Sequence, residues 1–243
     1  MSAVIDFLNT IFWGYILVYG LLAIGVFFTI RLGFMQFRHF GELFRVIKSA
    51  PETDKAGITP FQALTVSLAS RVGTGNLAGV AVALYLGGAG AIFWMWLVAL
   101  LGMATAYAES TLAQLYKVRN QEGDYRGGPA FYIARGLKSN WAAALFSIAL
   151  ILSFGLVFNA VQSNSIAGAV EGAFGVPRVA TGLGLAALAG VVIFGGIPQI
   201  ARFASYVVPI MAGVYLLLGL VVLALNIDEV PGMLLMIVQQ ALG

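Results

Sequence analysis

Apolar residues gather into six continuous runs of helical length, separated by connections that hold most of the charges. The runs cover about 12–30, 61–86, 91–115, 141–169, 179–194 and 206–225. At about 20 residues per crossing, runs of this length read as transmembrane helices. They are not the alternating segments of about ten residues that build a membrane β-barrel. The pattern predicts an all-α polytopic membrane protein with six transmembrane helices.

Positive charge orients these helices. Every Lys and Arg except Arg71 and Arg178 falls in the connections after runs one, three and five: Arg31 to Lys55, Lys117 to Lys138, and Arg202. The positive-inside rule then places the basic loops in the cytoplasm and the N-terminus outside, in the cytoplasmic (inner) membrane. In the second basic loop, the stretch Y-R-G-G-P-A-F-Y-I-A-R-G-L (125–137) predicts a short interfacial helix with Pro129 in its first turn.

Composition removes whole classes of function. The 243 residues are 60% hydrophobic and 9% charged, with a mean hydropathy of +0.95, so charge cannot cover a water-facing surface. The net charge of +3 comes from loops on one face of a membrane and is a topology signal, not a nucleic-acid surface. With no cysteine, disulfides and thiolate chemistry are excluded, and the single histidine, His39, has no clustered partner for a metal. Too little remains to build an intramembrane enzyme, and no cofactor is expected.

Run two is the exception to apolar interiors. Its centre reads Ser70-Arg71-Val72-Gly73-Thr74-Gly75-Asn76, poor helix material at bilayer mid-depth. A helix broken there points amides of its outer half into the gap, where they can hold a carboxylate. Carbonyls of the inner half are left to meet a small cation. The competing reading makes Gly75 and Gly79 a small-residue packing face without a break, which leaves Arg71, Thr74 and Asn76 unexplained. Run four carries Ser153, Asn159, Gln162, Ser163, Asn164 and Ser165. Phe158, with Gln162 one turn on, suits a small polar solute with a short apolar part; plain interhelical hydrogen bonding is the alternative. Arg71, about 15 Å deep, and Glu109, about 9 Å deep, are expected to form a structural ion pair.

The string S-L-A-S-R-V-G-T-G-N-L-A-G-V-A (67–81) resembles the alanine/glycine:cation symporter (sodium:alanine symporter) family. The resemblance continues through G-A-I-F-W-M-W (90–96), L-L-G-M-A-T (100–105), Ala108-Glu109, R-G-G-P-A-F-Y (126–132), F-N-A-V-Q-S-N (158–164) and A-R-F-A-S-Y-V-V-P-I-M-A (201–212). It implies a LeuT-type (APC superfamily) inverted-repeat fold. Residues 1–57 would hold an extra N-terminal helix and basic loop, and 58–243 the first five-helix repeat, with its broken helix at 69–76. By that analogy, the amides of Gly73, Thr74 and Gly75 meet the substrate carboxylate, and Asn76 lies near it or near a second cation position. Phe158 and Gln162 line the pocket, and the carbonyls of Ala69 and Val72 face sodium.

Members of the family are about twice as long, with a second glycine-rich broken helix that does not occur before Gly243. The expected function is therefore sodium-coupled symport of alanine or glycine, with this chain as the N-terminal half and a C-terminal repeat needed for transport. A truncated, non-transporting membrane component or assembly partner is the alternative.

Overall fold

The computed structural model describes residues 2–48, 58–121 and 125–243. Helices dominate, and four of them are long and apolar enough to cross a membrane. These are α1 (Val4–Arg31), α6 (Gly90–Leu115), α8 (Asn140–Phe174) and α10 (Gly196–Leu225). Between them lie α2 (Met35–Arg38), α3 (Phe40–Lys48), α4 (Pro60–Arg71), α5 (Gly75–Gly87), α7 (Pro129–Gly136) and α9 (Arg178–Ile193). A last helix, α11 (Val230–Leu242), ends the chain. One two-stranded antiparallel hairpin pairs Val118 with Arg126 and Arg119 with Tyr125.

The six apolar runs thus map onto the helices unevenly. Run two is divided between α4 and α5, and run five is the 16-residue α9, short for a crossing. Run six begins earlier than its hydropathy suggests, because α10 continues back through Arg202 to Gly196. Helix α11 lies beyond every predicted run. Helix α7 occupies the predicted interfacial stretch, with Pro129 in its first turn.

Packing inverts the pattern of a water-soluble core. The buried apolar residues are mainly alanines: Ala104, Ala143, Ala167, Ala201 and Ala204, with Val208 and Ile237. Large apolar side chains such as Tyr85, Leu86 and Phe194 face outward. In hydrocarbon nothing is gained by hiding large apolar groups from lipid, so helices meet where small residues let backbones approach. Helix α4 lies on α10, and Thr65 of the one and Ala201 and Ala204 of the other are buried, while α6 packs on α1 and α11.

The first helix departs from the charge-based expectation. Trp13, Leu17 and Leu21 of α1 share a groove of about 340 Å³ with Val98, Thr105 and Glu109 of α6, and Gly25 sits against Leu101. The two helices therefore run in opposite senses, whereas spans one and three, separated by one crossing, are expected to be parallel. Helix α1 carries no charge between Asp6 and Arg31, so nothing in its own sequence fixes its sense on α6.

Candidate functional site

Helix α4 starts on a capping box. The Gln62 amide donates to Thr59 Oγ1 at 3.1 Å and the Thr59 amide to Gln62 Oε1 at 3.0 Å, with Pro60 in the first turn. It stops at Arg71, because Val72 is extended, with φ −98° and ψ 95°. Helical backbone resumes at Thr74, and the Asn76 amide donates to the Gly73 carbonyl at 3.0 Å.

Two sets of backbone groups lose their helical partners here. Among the described residues no acceptor pairs with the amides of Gly73, Thr74 and Gly75, and no donor pairs with the carbonyls of Ala69 and Val72. In a continuous helix the Gly73 amide would close on Ala69, but the extended Val72 carries it out of register. The interruption thus offers donors from its outer half and acceptors from its inner half.

Gln162 of α8 lies against this interruption. A methyl group on Gly73 would stand 3.3 Å from Gln162 Oε1 and 3.4 Å from Nε2, so only glycine lets the side-chain amide approach without displacement. Gly73 and Gln162, 89 residues apart in sequence, are therefore neighbours. Phe158 lies one turn before Gln162, with its ring 5.3 Å from that of Phe154. Asn159 donates to the Gly155 carbonyl at 3.1 Å and so is tied to its own helix.

Both partners carry π-helical turns, at Gly75–Gly79 directly after the interruption and at Ile151–Phe158 directly before Asn159. Such turns widen a helix and free backbone groups, and they gather at functional sites. In the sequence, the Gly75/Gly79 spacing is the one signal of the first, and nothing marks the second.

The expected Arg71–Glu109 ion pair does not form. The ion pairs among the described residues include Arg45–Glu42 and Arg178–Glu171, but none joins Arg71 to Glu109. The reason is packing: α4 rests on α10 while α6 rests on α1 and α11, so the two charges sit on different helix pairs. The Glu109 charge acts instead on Tyr132 of α7. Burial first, and then that charge, raise the Tyr132 phenol above its ordinary value.

Similarity to known proteins accords with this geometry. The sodium:alanine symporter family model matches residues 1–243. The amino-acid carrier protein AlsT of Bacillus subtilis is 50% identical over 242 residues, covering 100% of this chain and 51% of the carrier. The probable sodium/glutamine symporter GlnT of the same organism is 46% identical over 244 residues, covering 100% of this chain and 51% of its own. The sodium/alanine symporter AgcS of Methanococcus maripaludis is 42% identical over 235 residues, 94% of this chain and 52% of its own. The chain spans about half the length of the curated relatives it matches. With a family match over its whole length and an interrupted helix facing Gln162, this chain belongs to the sodium:alanine symporter family, a family of transporters and not an enzyme class.

Proposed function

We propose that this chain forms the N-terminal half of a sodium-coupled symporter of small neutral amino acids, alanine or glycine, in the cytoplasmic membrane. In this reading α1 is an additional helix, and residues 58–243 form the first repeat of a LeuT-type fold whose second repeat lies in the other half of the full-length protein. The basic loops around Lys117 and Arg202 face the cytoplasm, drawn there by the positive-inside bias.

The observation that carries the proposal is the interrupted helix with Gln162 against it. The free amides of Gly73, Thr74 and Gly75 bind the substrate carboxylate, as the positive end of a helix binds anions. Gln162 and Asn76 supply side-chain amides at the same gap, and Phe158 borders the space for a short side chain. The carbonyls of Ala69 and Val72 are hard oxygen donors suited to sodium, and further ligands come from the second repeat. Sodium beside a bound carboxylate favours both ligands, and that mutual preference couples their movement.

The test is alanine uptake by the full-length protein in proteoliposomes under an inward sodium gradient. Gln162→Leu, which keeps the bulk and removes the amide, should cut uptake at least tenfold while leaving the protein monodisperse. Uptake at the wild-type rate would remove Gln162 from the site.

A further inference from the structure

The turn between α5 and α6 is held from outside its own hairpin. Helix α5 closes with the Gly88 amide donating to Leu84 at 2.9 Å, and α6 opens with the Ala91 amide donating to Gly88 at 3.2 Å. The Ala89 amide lies between them, at the start of α6, where a helix has no partner of its own to offer. Gln240 of α11 supplies one, accepting from Ala89 through Oε1 at 2.9 Å.

The backbones meet just as closely. Gly90 is buried, and a methyl group there would stand 2.6 Å from the Gln240 carbonyl oxygen and 2.9 Å from the Ala241 nitrogen. Gly88 has φ +67°, and a methyl group there would fall 2.9 Å from Gln240 Oε1. Both glycines are thus required, one by its left-handed backbone and one by the approach of α11. Helix α11 packs along α6 with Ile237 buried. The clasp is a turn of α5–α6 seated in the last turn of α11.

Its position gives it a consequence. Helix α5 is the outer half of the interrupted helix, and the free amides of Gly73, Thr74 and Gly75 lie at its start. One end of α5 is at the Val72–Gly73 interruption, where nothing helical restrains it. The other end is the Gly88–Gly90 turn. We propose that Gln240 is a positioning residue for the amino-acid site: by capping Ala89 it fixes the α5–α6 turn and so the direction in which the Gly73–Gly75 amides point. When the clasp opens, α5 samples more orientations, and the apparent dissociation constant rises as the competent fraction falls. This inference rests on the substrate site being at the interruption.

The experiment pairs a distance with an affinity in the full-length protein. Spin labels at Tyr85→Cys on α5 and Leu235→Cys on α11, both exposed positions, report the separation of the two helices without ligand. Gln240→Leu, which removes the acceptor, should broaden that distance distribution and weaken alanine binding by about three- to tenfold, the scale of one lost hydrogen bond. Gln240→Glu keeps an acceptor at the same reach and should preserve both the narrow distribution and the affinity. Gly90→Ala, which drives backbone against backbone, should reproduce the leucine variant by a different route. A wild-type distribution in Gln240→Leu overturns the clasp. A broadened distribution with unchanged alanine affinity overturns its positioning role, as does a glutamate variant as impaired as the leucine one. A protein that binds no alanine in any form defeats the substrate reading, and the distances then decide the clasp alone.

Discussion

Replacing Gly73 is the most direct perturbation of the proposed site, because the space beside its Cα is already taken. A methyl group at that position would stand 3.3 to 3.5 Å from three atoms of the Gln162 amide, inside comfortable contact but against the flexible end of a side chain. Gly73→Ala should therefore move Gln162 by a few tenths of an ångström and disturb its hydrogen bond to substrate. A hydrogen bond to a charged group contributes about 1.5–3 kcal/mol, so a weakened one predicts about tenfold looser alanine binding. Gly73→Val adds two further methyl groups over the amides and should displace the carboxylate from at least two of them. At about 1.5 kcal/mol each, the loss is about 3 kcal/mol, or more than a hundredfold in affinity. The assay is calorimetric titration of the full-length protein with alanine in sodium, with thermal melting to establish that each variant folds. Adding Gln162→Ser to Gly73→Ala removes the obstructing amide, so the double variant should fall well short of the sum of the two single losses. Wild-type affinity in Gly73→Val, or strict additivity in the cycle, would refute the assignment of carboxylate binding to these amides.

Since Arg71 and Glu109 do not pair, exchanging them should give losses in folding yield or uptake that add to within about 0.5 kcal/mol, and rescue by the exchange would restore the ion pair. Tyr132 has a raised folded pKa, so its contribution to stability is complete below the unfolded value near 10 and is lost as pH rises through the folded value. Tyr132→Phe should remove a phenolate absorbance that titrates above the ordinary range, and Glu109→Gln should shift that absorbance to lower pH. Thr59→Ala opens the capping box of α4 and should cost about 1 kcal/mol in the full-length protein by chemical denaturation; an unchanged midpoint would show that tertiary contacts alone hold that end.

What the sequence discloses here depends on how local the cause is. The interruption at Val72 follows from neighbours in the chain: glycines on both sides of Thr74, followed by Asn76, resist helix within an otherwise apolar run. Helix α7 is equally local, since Gly127-Gly128-Pro129 marks its start. The Gly73–Gln162 approach is tertiary, but both residues announce themselves as polar or flexible inside apolar runs, which is why they could be named before being seen together. The Arg71–Glu109 pair does not form: opposite charges at nearby depths on two helices say nothing about which helices are adjacent. That choice is made by small-residue stripes such as Ala201 and Ala204. Helix α11 lies outside the predicted runs because its thirteen residues, two of them glutamines, are too few for a crossing, and its role is visible only where Gln240 reaches the Ala89 amide. The sense of α1 is illegible for the opposite reason, since its apolar surface is nearly uniform around the helix.

In the proposed function the interrupted helix binds a carboxylate on its amides and a cation on its carbonyls at one place. Alanine affinity of the full-length protein, measured in sodium and in choline at equal ionic strength, tests it most directly. Among the described residues the carbonyls of Ala69 and Val72 meet no donor, and in the proposed function a cation on them would lower the cost of bringing a substrate carboxylate to Gly73–Gly75. Alanine should bind at least tenfold tighter in sodium, with sodium binding tightened by alanine to the same factor. Equal alanine affinity in sodium and choline would contradict it.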